Sequence, residues 1–501
     1  MDEESRKEKI AMSPKRQPFR RRISRQPPAS GRKPVLKLTA RDVAACVDEL
    51  LVYHREFHPF FQRREQREWS LFYLCGQLSN LERKTIAPLV LARLGADPKA
   101  IRAVQQFIGQ SPWATDPLVD HAQTRVAQWL GEPDGVAIVD GSGFPKQGSH
   151  SVGVAYQYCG HLGKLANCQE GVFLVYASRR GYAFLDERLY MPRQWFEAAY
   201  RQRRKVCGVP EDLTFRTEPE LGLDMLQALH QRGVVPFRWV SCDEKYGNNP
   251  AFLKGIETLG QWYLAEVPAD TRVWLRTPPI EPPGRSLFGS ERVQPRVTRS
   301  APRPLEMREV WRQLPLNQWH RRVIKEGSKG PLVAEFAVLR VTPVRDQLPG
   351  PRCWAVFRRT LGPQPEVKFY LSNAPRTCPR QELVRVSGLR WYVETALKED
   401  KGQVGMDHHQ TRTWQGWHHH MMHAMLGHLF LIRLRLLFQK KSRADNGAST
   451  LLGSRCDRKR RGEITRSPGG SPLSARAKPR CLSFASQAYT SSECQTMVQA
   501  T

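Results

Sequence analysis

The middle of the chain carries short apolar runs that end abruptly in turn residues. The clearest run covers residues 136–139, and Asp140 and a Gly-Ser-Gly-Phe-Pro sequence follow it directly. A run this short predicts a strand buried on both faces of a sheet. Similar runs predict four more strands, over residues 151–158, 172–177, 236–241 and 262–267. Helical segments over residues 191–205 and 218–232 lie between them, so the predicted fold class is α/β, with helices packed on a mixed sheet.

Helix signals are concentrated in residues 35–130. Helix starts are marked by a capping box at Ser79 and by Asp-Pro pairs at Asp97 and Asp116. A glycine lies near the end of each of these three predicted helices. The segment is rich in Arg and Lys, so it predicts either a DNA-binding helical domain or a plain helical cap over the core.

Changes of composition set the remaining domain boundaries. Clusters of Pro and Gly with short strand-like runs predict an inserted, mostly β subdomain, after which a strand over residues 367–372 returns to the main sheet and a long helical region follows. The predicted organisation is a disordered basic arm (1–34), a helical domain (35–130), a first core segment (131–272), a β-rich insertion (273–365), a second core segment (366–438) and a disordered basic tail (439–501).

The charge of the chain predicts a polyanionic partner. The formal net charge is +30 and the isoelectric point about 10.1, and half of the excess lies outside the two terminal segments. The 11 cysteines include no C-x-x-C pair, which indicates a reducing compartment rather than a disulfide framework or a zinc ribbon. No apolar stretch is expected to reach the length of a membrane span. We therefore expect a cytoplasmic protein that binds no membrane.

Two aspartates are placed where a strand ends. Asp140 follows the run 136–139, and Asp243 follows the run that ends at Cys242. The carboxyl ends of strands are where ligands bind in open α/β sheets. Two carboxylates at such ends predict two ligands for one cation, with a third carboxylate supplied from elsewhere.

The third carboxylate is predicted on a helix around residues 389–401. At about 100° per residue, Arg390, Glu394 and Lys401 share one face, and Glu399 lies on the opposite face. Glu394 would supply an oxygen ligand, and Arg390 and Lys401 would hold phosphate oxygens. The alternative is an ordinary solvated i,i+4 pair of Arg and Glu. Apolar neighbours of Glu394 favour a helix packed on the core, and hence the functional interpretation.

Several motifs together resemble the IS701 family of DDE transposases. Their shared order over roughly residues 36–438 carries the resemblance, since each motif alone is weak. The motifs begin at Asp140 (Asp-Gly-Ser-Gly-Phe-Pro-Lys-Gln-Gly), His150 (His-Ser-Val-Gly-Val), Gln157 (Gln-Tyr), Gly163 (Gly-Lys), Asn167 (Asn-Cys-Gln), Leu189 (Leu-Tyr-Met-Pro), Asp243 (Asp-Glu-Lys-Tyr-Gly), Glu326 (Glu-Gly-Ser-Lys-Gly-Pro), Arg390 (Arg-Trp-Tyr-Val-Glu), Gly402 (Gly-Gln-Val-Gly-Met-Asp) and Trp414 (Trp-Gln-Gly-Trp-His).

The resemblance implies an RNase H-like catalytic core that a β insertion interrupts. It also implies that Asp140, Asp243 and Glu394 are the catalytic, metal-binding triad. Arg390, Glu394 and Lys401 match the related IS4-type signature, but Ser387 stands where that signature has Tyr. The expected cofactor is Mg²⁺, as two ions with Mn²⁺ as a substitute, and no small-molecule cofactor is expected.

The resulting functional prediction is a transposase. It would bind the inverted-repeat ends of its element, cleave DNA and join the freed 3′-hydroxyl to target DNA. We expect it to act as a homodimer on double-stranded DNA, associated with the nucleoid. The alternatives are an RNase H-like endonuclease without strand transfer and a catalytically decayed DNA-binding protein.

Other polar residues are weaker candidates. Lys146, Lys164 and Lys245 lie near strand ends and are candidate phosphate contacts, although for each alone a solvated lysine is equally compatible with the sequence. His419 and His423 have the i,i+4 spacing of a zinc pair. No third ligand or H-E-x-x-H glutamate accompanies them, so packing in the core or near DNA is favoured.

Overall fold

The computed structural model describes residues 40–285, 291–292, 294–327 and 330–451. All of them belong to one compact unit, Leu38–Thr501. The predicted basic arm and residues 452–501 of the predicted tail lie outside the described residues. The division of this unit into smaller domains stays a prediction.

Five α-helices precede the sheet in the described part of the chain. They are α1 (Ala40–Arg55), α2 (Arg64–Gln77), α3 (Ile86–Leu94), α4 (Pro98–Gly109) and α5 (Asp116–Leu130). Asp97 caps α4 as expected, because its side chain accepts hydrogen bonds from the backbone N–H groups of residues 99 and 100. The helix expected to start at Ser79 starts instead at Ile86, because the Ser79 hydroxyl donates to the Gly76 carbonyl and closes α2.

Six strands form the centre of the sheet: β1 (Val136–Pro145), β2 (Ala155–Cys159), β3 (Lys164–Ser178), β4 (Gly181–Tyr190), β5 (Trp239–Cys242) and β6 (Trp262–Val267). Five of them lie in the order β4-β3-β1-β5-β6. The β4-β3-β1 pairs are antiparallel and the β1-β5-β6 pairs are parallel. This is the arrangement expected of an RNase H-like core, and the predicted α/β fold class is confirmed.

Helices and short turns connect these strands. The helices are α6 (Arg201–Val206), α7 (Glu218–Arg232), α8 (Glu244–Gly247) and α9 (Pro250–Thr258). The single helix predicted over residues 191–205 is wrong, since two 3₁₀ turns precede a short α6. By contrast, α7 has the predicted bounds, with Thr217 in a capping box at its start and Gly233 in the left-handed region at its end.

The strand β4 was not predicted. Its sequence contains the adjacent charges Asp186 and Glu187, which interrupt the apolar pattern, yet both side chains are buried. Their partners explain the burial: Asp186 pairs with Arg188, and Glu187 lies 2.8 Å from the His418 ring. The partner of Asp186 lies in the same strand, but the partner of Glu187 is distant in sequence, so the apolar pattern alone does not predict this strand.

The long strands of the segment predicted as a β-rich insertion extend the same sheet, while four of its short strands form two separate two-stranded sheets. Its elements are β7 (Arg272–Trp274), β8 (Ile280–Glu281), β9 (Gly284–Arg285), β10 (Glu291–Arg292), β11 (Arg296–Val297), β12 (Leu305–Glu306), α10 (Met307–Arg312), β13 (His320–Gly327), β14 (Gly330–Arg345), β15 (Leu348–Pro349), β16 (Cys353–Thr360) and β17 (Val367–Ser372). The long strands continue outward from β6 in the order β17-β16-β14. As predicted, β17 returns the chain to the main sheet.

The C-terminal helices cover the core. They are α11 (Arg380–Leu389), α12 (Trp391–Glu399), a π-helical turn (Asp400–Val404) and α13 (Trp414–Leu451). Helix α13 continues past residue 438, where the tail was expected to begin. Its segment Trp414–Gln439 is long and apolar enough to cross a membrane, contrary to the expectation, but 72% of its most apolar window is buried in the protein. Such burial is typical of the core helix of a soluble protein.

Helix α13 packs on the N-terminal helices through buried histidines. The His419 ring lies 2.9 Å from the carbonyls of Ile108 and Trp113, and the His420 ring lies 2.7 Å from the Tyr73 hydroxyl. His423 lies 3.1 Å from the Ser70 hydroxyl. Among the described residues no cluster of His, Cys, Asp and Glu could hold a metal ion. The histidines therefore serve as core packing, as favoured over a zinc pair.

We expect these histidines to make the fold acid-sensitive. Burial lowers the pKa of His54, His419 and His420 to about 3 and that of His423 to about 4. Because these pKa values lie below the unfolded value near 6.5, the stability is full above about pH 6.5 and is lost as the pH falls towards the folded values. Each histidine should remove about 1.4 kcal/mol per pH unit in that window. Urea unfolding at pH 7.5, 6.5 and 5.5 measures the loss.

A variant pair gives the control for this acid sensitivity. His423→Gln should lessen the fall between pH 6.5 and 5.5, since it removes one of the four titrating histidines, while His230→Gln, at an exposed site, should leave it unchanged. An unfolding free energy that stays constant down to pH 5 in the unmodified protein would contradict the expectation.

Candidate active site

The sheet brings Asp140 and Asp243 side by side. Strands β1 and β5 are parallel neighbours, with Val139 paired to Cys242, so the two aspartates occupy the next position on each chain. Neighbouring strands are about 4.8 Å apart, which sets the separation of the two backbones. The pairing of β1 with β5 ends there, although β1 itself continues to Pro145 along β3. Asp140 is therefore within a strand rather than at its end.

Asp243 is held by the helix that follows it. It is the N-cap of α8, and its side chain accepts a hydrogen bond from the Tyr246 backbone N–H at 3.3 Å. A Cβ on Gly247 would lie 1.9 Å from the Glu266 carbonyl oxygen, so only glycine lets α8 approach β6 this closely. This contact fixes the turn that carries Asp243.

The predicted third carboxylate, Glu394, is linked to the two aspartates by Arg390. Glu394 lies on α12 and is exposed, and its carboxylate accepts a hydrogen bond from Arg390 at 2.7 Å. The Arg390 guanidinium also lies 3.8 Å from Glu266 of β6. The Arg390 side chain is 12% exposed and that of Glu394 42%, so the pair lies at the edge of the core rather than wholly in solvent.

The electrostatics tie these side chains together. Burial raises the pKa of Asp140 to about 7, with Asp243 adding to the rise and Arg390 opposing it. Burial also raises the pKa of Asp243, and Arg390 again opposes the shift. Burial alone would lower the pKa of Arg390, but Asp140, Glu266 and Glu394 raise it above its ordinary value. Arg390 thus brings a positive charge into this acidic site.

Glu266 was missed in the sequence. It is 9% exposed, and its second oxygen accepts a hydrogen bond from Lys368 at 2.9 Å. Its position in the sequence could have identified it, since it is the one charge within the otherwise apolar strand β6. A carboxylate inside such a strand requires a partner in the core.

A second acidic pair lies beside β1 and was also missed. Glu170 and Glu218 are both more than nine-tenths buried. A Cβ on Gly141 would lie 2.9 Å from a Glu170 oxygen and 3.1 Å from a Glu218 oxygen, so the glycine leaves the space that they fill. Burial and the proximity of Glu218 raise the pKa of Glu170 to about 8.

The four predicted phosphate-binding lysines are placed differently from one another. Lys401 lies in the π-helical turn, where its ammonium donates to the Gly143 carbonyl at 2.8 Å, 4.5 Å from the centre of the Phe144 ring. It is only 9% exposed. Lys146 donates to the His409 carbonyl, Lys245 pairs with Glu218, and Lys164 is exposed at the start of β3.

The side chains of Asp140, Asp243 and Glu394 are suited to bind a divalent cation, although the Arg390 guanidinium lies among them. Within the described ranges no three His, Cys, Asp or Glu side chains are arranged to hold an ion between them. Asp140 and Asp243 are nevertheless adjacent oxygen donors whose charged forms burial disfavours. A hard cation that prefers carboxylates would relieve that cost. Asp140 and Asp243, with the exposed Glu394, are the residues that would hold it.

Comparison with known proteins identifies the family. Residues 56–331 match the family described as "DDE superfamily endonuclease". The chain belongs to the DDE superfamily endonucleases. The matched segment contains Asp140 and Asp243 and ends before Glu394.

Individual proteins are also similar to this DDE endonuclease. It is 25% identical over 363 residues to the "Probable transposase for insertion sequence element IS701" of Microchaete diplosiphon, a match that covers 72% of this chain and 80% of that protein. The resemblance to IS701-family transposases is therefore confirmed, and the chain is an enzyme that acts on DNA. The NurA nuclease from Sulfolobus solfataricus is 11% identical in a solved structure, with a TM-score of 0.23, over 55% of this chain and 81% of that one.

Proposed function

We propose that this DDE endonuclease is the transposase of an insertion sequence. It binds the inverted-repeat ends of its element, hydrolyses a phosphodiester to free a 3′-hydroxyl and joins that hydroxyl to target DNA. The single observation that carries the proposal is that Asp140 and Asp243 lie side by side on neighbouring strands, with Arg390, which binds Glu394, interacting with both. The similarity to an IS701 transposase over most of both chains supports it.

Each residue of the site has a distinct proposed task. Asp140, Asp243 and Glu394 bind two Mg²⁺ ions, which when bound activate the attacking hydroxyl and stabilise the leaving oxygen. Arg390 orients Glu394 and neutralises the buried carboxylates, and it contributes positive charge towards the phosphate being cleaved. Two element ends must be processed together, so we propose a homodimer on DNA.

Strand transfer distinguishes this function from its alternatives. The purified full chain is incubated with Mg²⁺, labelled DNA that carries an element end, and a target plasmid. We expect labelled end DNA covalently joined to the plasmid, and Mn²⁺ should support the same product. Cleaved ends without joined products would assign an endonuclease, and bound but uncleaved DNA would assign a decayed DNA-binding protein.

A further inference from the structure

The hairpin next to the catalytic strand has an exposed aromatic face. This tyrosine hairpin consists of β2, the turn that follows it and the start of β3, residues 155–168. Tyr156 is 74% exposed, Tyr158 63% and Leu165 57%. Tyr158 is paired with Leu165 across the hairpin, so these side chains form one outward face. Large apolar side chains grouped in this way mark an interaction surface.

The opposite side of the tyrosine hairpin packs on the strand that carries Asp140. Cys159 is fully buried, and a Cβ on Gly143 would lie 3.5 Å from the Cys159 Cα. Gly143 is three residues from Asp140 on β1, a backbone distance of about 10 Å. The exposed tyrosines are therefore on a hairpin that packs against β1, close to the proposed site of cleavage.

Positive charge surrounds the tyrosine hairpin. Residues 141–169 contain no Asp or Glu, and Lys164 is exposed within them. Helix α6 adds Arg201, Arg203, Arg204 and Lys205, four cations in six residues. An apolar face with cations beside it complements a nucleic acid, whose bases stack and whose backbone is anionic.

Hydrogen bonds connect α6 to the base of the tyrosine hairpin. The Arg203 guanidinium donates to the Ser149 carbonyl and lies 5.4 Å from the Trp195 ring centre. The Asn167 amide donates to the carbonyls of Lys146 and Gly148 in the same loop. Since Asn167 is paired with Tyr156, the loop links α6 to the aromatic face. Arg203 is thus used to fix the helix, while Arg201 and Lys205 remain exposed.

We propose that the tyrosine hairpin and α6 form a DNA-contact surface beside the active site. Tyr156 and Tyr158 stack on bases that are unpaired or distorted near the cleaved bond, and Arg201 and Lys205 bind backbone phosphates. This inference rests on the proposed function, because it assigns the substrate contacts of that same site. A second copy of the chain is the other possible occupant of an apolar face, but the surrounding cations favour DNA.

Binding measurements with the full chain test the stacking role. Fluorescence anisotropy compares duplex end DNA with the same DNA carrying unpaired nucleotides at the cleaved junction. The variant Tyr156→Ala/Tyr158→Ala should bind the unpaired substrate about tenfold to a hundredfold more weakly. Tyr156→Phe/Tyr158→Phe should bind within about threefold of the unmodified protein, because its rings still stack. Leu316→Ala, at an exposed apolar position elsewhere, should be unchanged.

Photo-crosslinking locates the contact directly. DNA with 5-iodouracil near the cleaved bond is irradiated in the complex, and tryptic peptides are analysed by mass spectrometry. Cleavage after Lys146 and Lys164 releases one peptide that contains both tyrosines. We expect this peptide among the crosslinked products.

The phosphate contacts are tested by a separate variant. Arg201→Ala/Lys205→Ala should weaken binding equally for paired and unpaired substrates.

The outcomes separate this inference from the proposed function. If the unmodified protein cleaves and joins DNA but the alanine variant binds it equally well, the inference is overturned and the function stands. If the variant instead changes only the oligomeric state without DNA, the face is a protein interface and the inference is again overturned. A protein that binds no DNA at all would overturn both.

Discussion

Replacing Asp140 with Asn is expected to reduce the rate of DNA cleavage by at least about a thousandfold. Losses of about this size follow when a group that stabilises the transition state is removed. The carboxylate is one of two adjacent oxygen donors of the proposed site, and an amide cannot supply its charge. Binding of end DNA should change little, since the cationic surfaces are untouched. Single-turnover cleavage and anisotropy on the same preparation measure the two quantities.

The stability of the Asp140→Asn variant and a control variant show whether the loss of cleavage is specific to the site. Burial already raises the pKa of Asp140 to about 7, so the neutral amide should leave the fold as stable as before or more so. Asp212→Ala removes an exposed carboxylate away from the site and should cleave normally. Cleavage by Asp140→Asn within tenfold of the unmodified rate would show that Asp140 is no metal ligand.

Replacing Arg390 with Gln is expected to destabilise the metal-free protein by about 3–5 kcal/mol, the usual result of removing one partner from a buried ion pair. The carboxylates of Asp140, Glu266 and Glu394 would lose the guanidinium that stabilises their charged forms. Millimolar Mg²⁺ should restore part of the loss, because a cation that binds only the folded state adds to its stability. Urea unfolding with and without Mg²⁺ measures both effects.

Arg433 provides the control for this metal rescue. Its guanidinium pairs with Glu49 at the N-terminal helices and lies 2.7 Å from Glu56, and its side chain is about as buried as that of Arg390. Arg433→Gln should also lose stability, but Mg²⁺ should not restore it. Equal rescue of both variants, or of neither, would mean that Arg390 does not lie at a cation site.

Much of the sheet follows from local sequence. The mostly apolar run 262–267 predicts β6 with its observed bounds even though it contains Glu266, and α7 likewise has its predicted bounds, between the cap at Thr217 and Gly233. The strand β4 does not follow, because Asp186 and Glu187 interrupt its apolar pattern and the burial of Glu187 depends on His418, far away in the chain. Local patterns therefore identify elements whose stability is local, and they miss those that depend on distant partners.

The same limit applies to the candidate site. The spacing of Arg390 and Glu394 predicts their contact, because side chains four residues apart lie on the same face of a helix. The position of Lys401 does not follow, since the π-helical turn changes the rotation per residue before it is reached. The partnership of Arg390 with Glu266 joins a helix to a strand far away in sequence, and only the folded sheet brings them together.

The convergence of three carboxylates on a shared pair of cations is tested most directly by anomalous diffraction from Mn²⁺ in crystals of the protein with end DNA. We predict two manganese peaks about 4 Å apart, within about 2.2 Å of carboxylate oxygens of Asp140, Asp243 and Glu394. Manganese bound elsewhere, with Arg390 still holding Glu394 and no peak beside Asp140 and Asp243, would contradict the account.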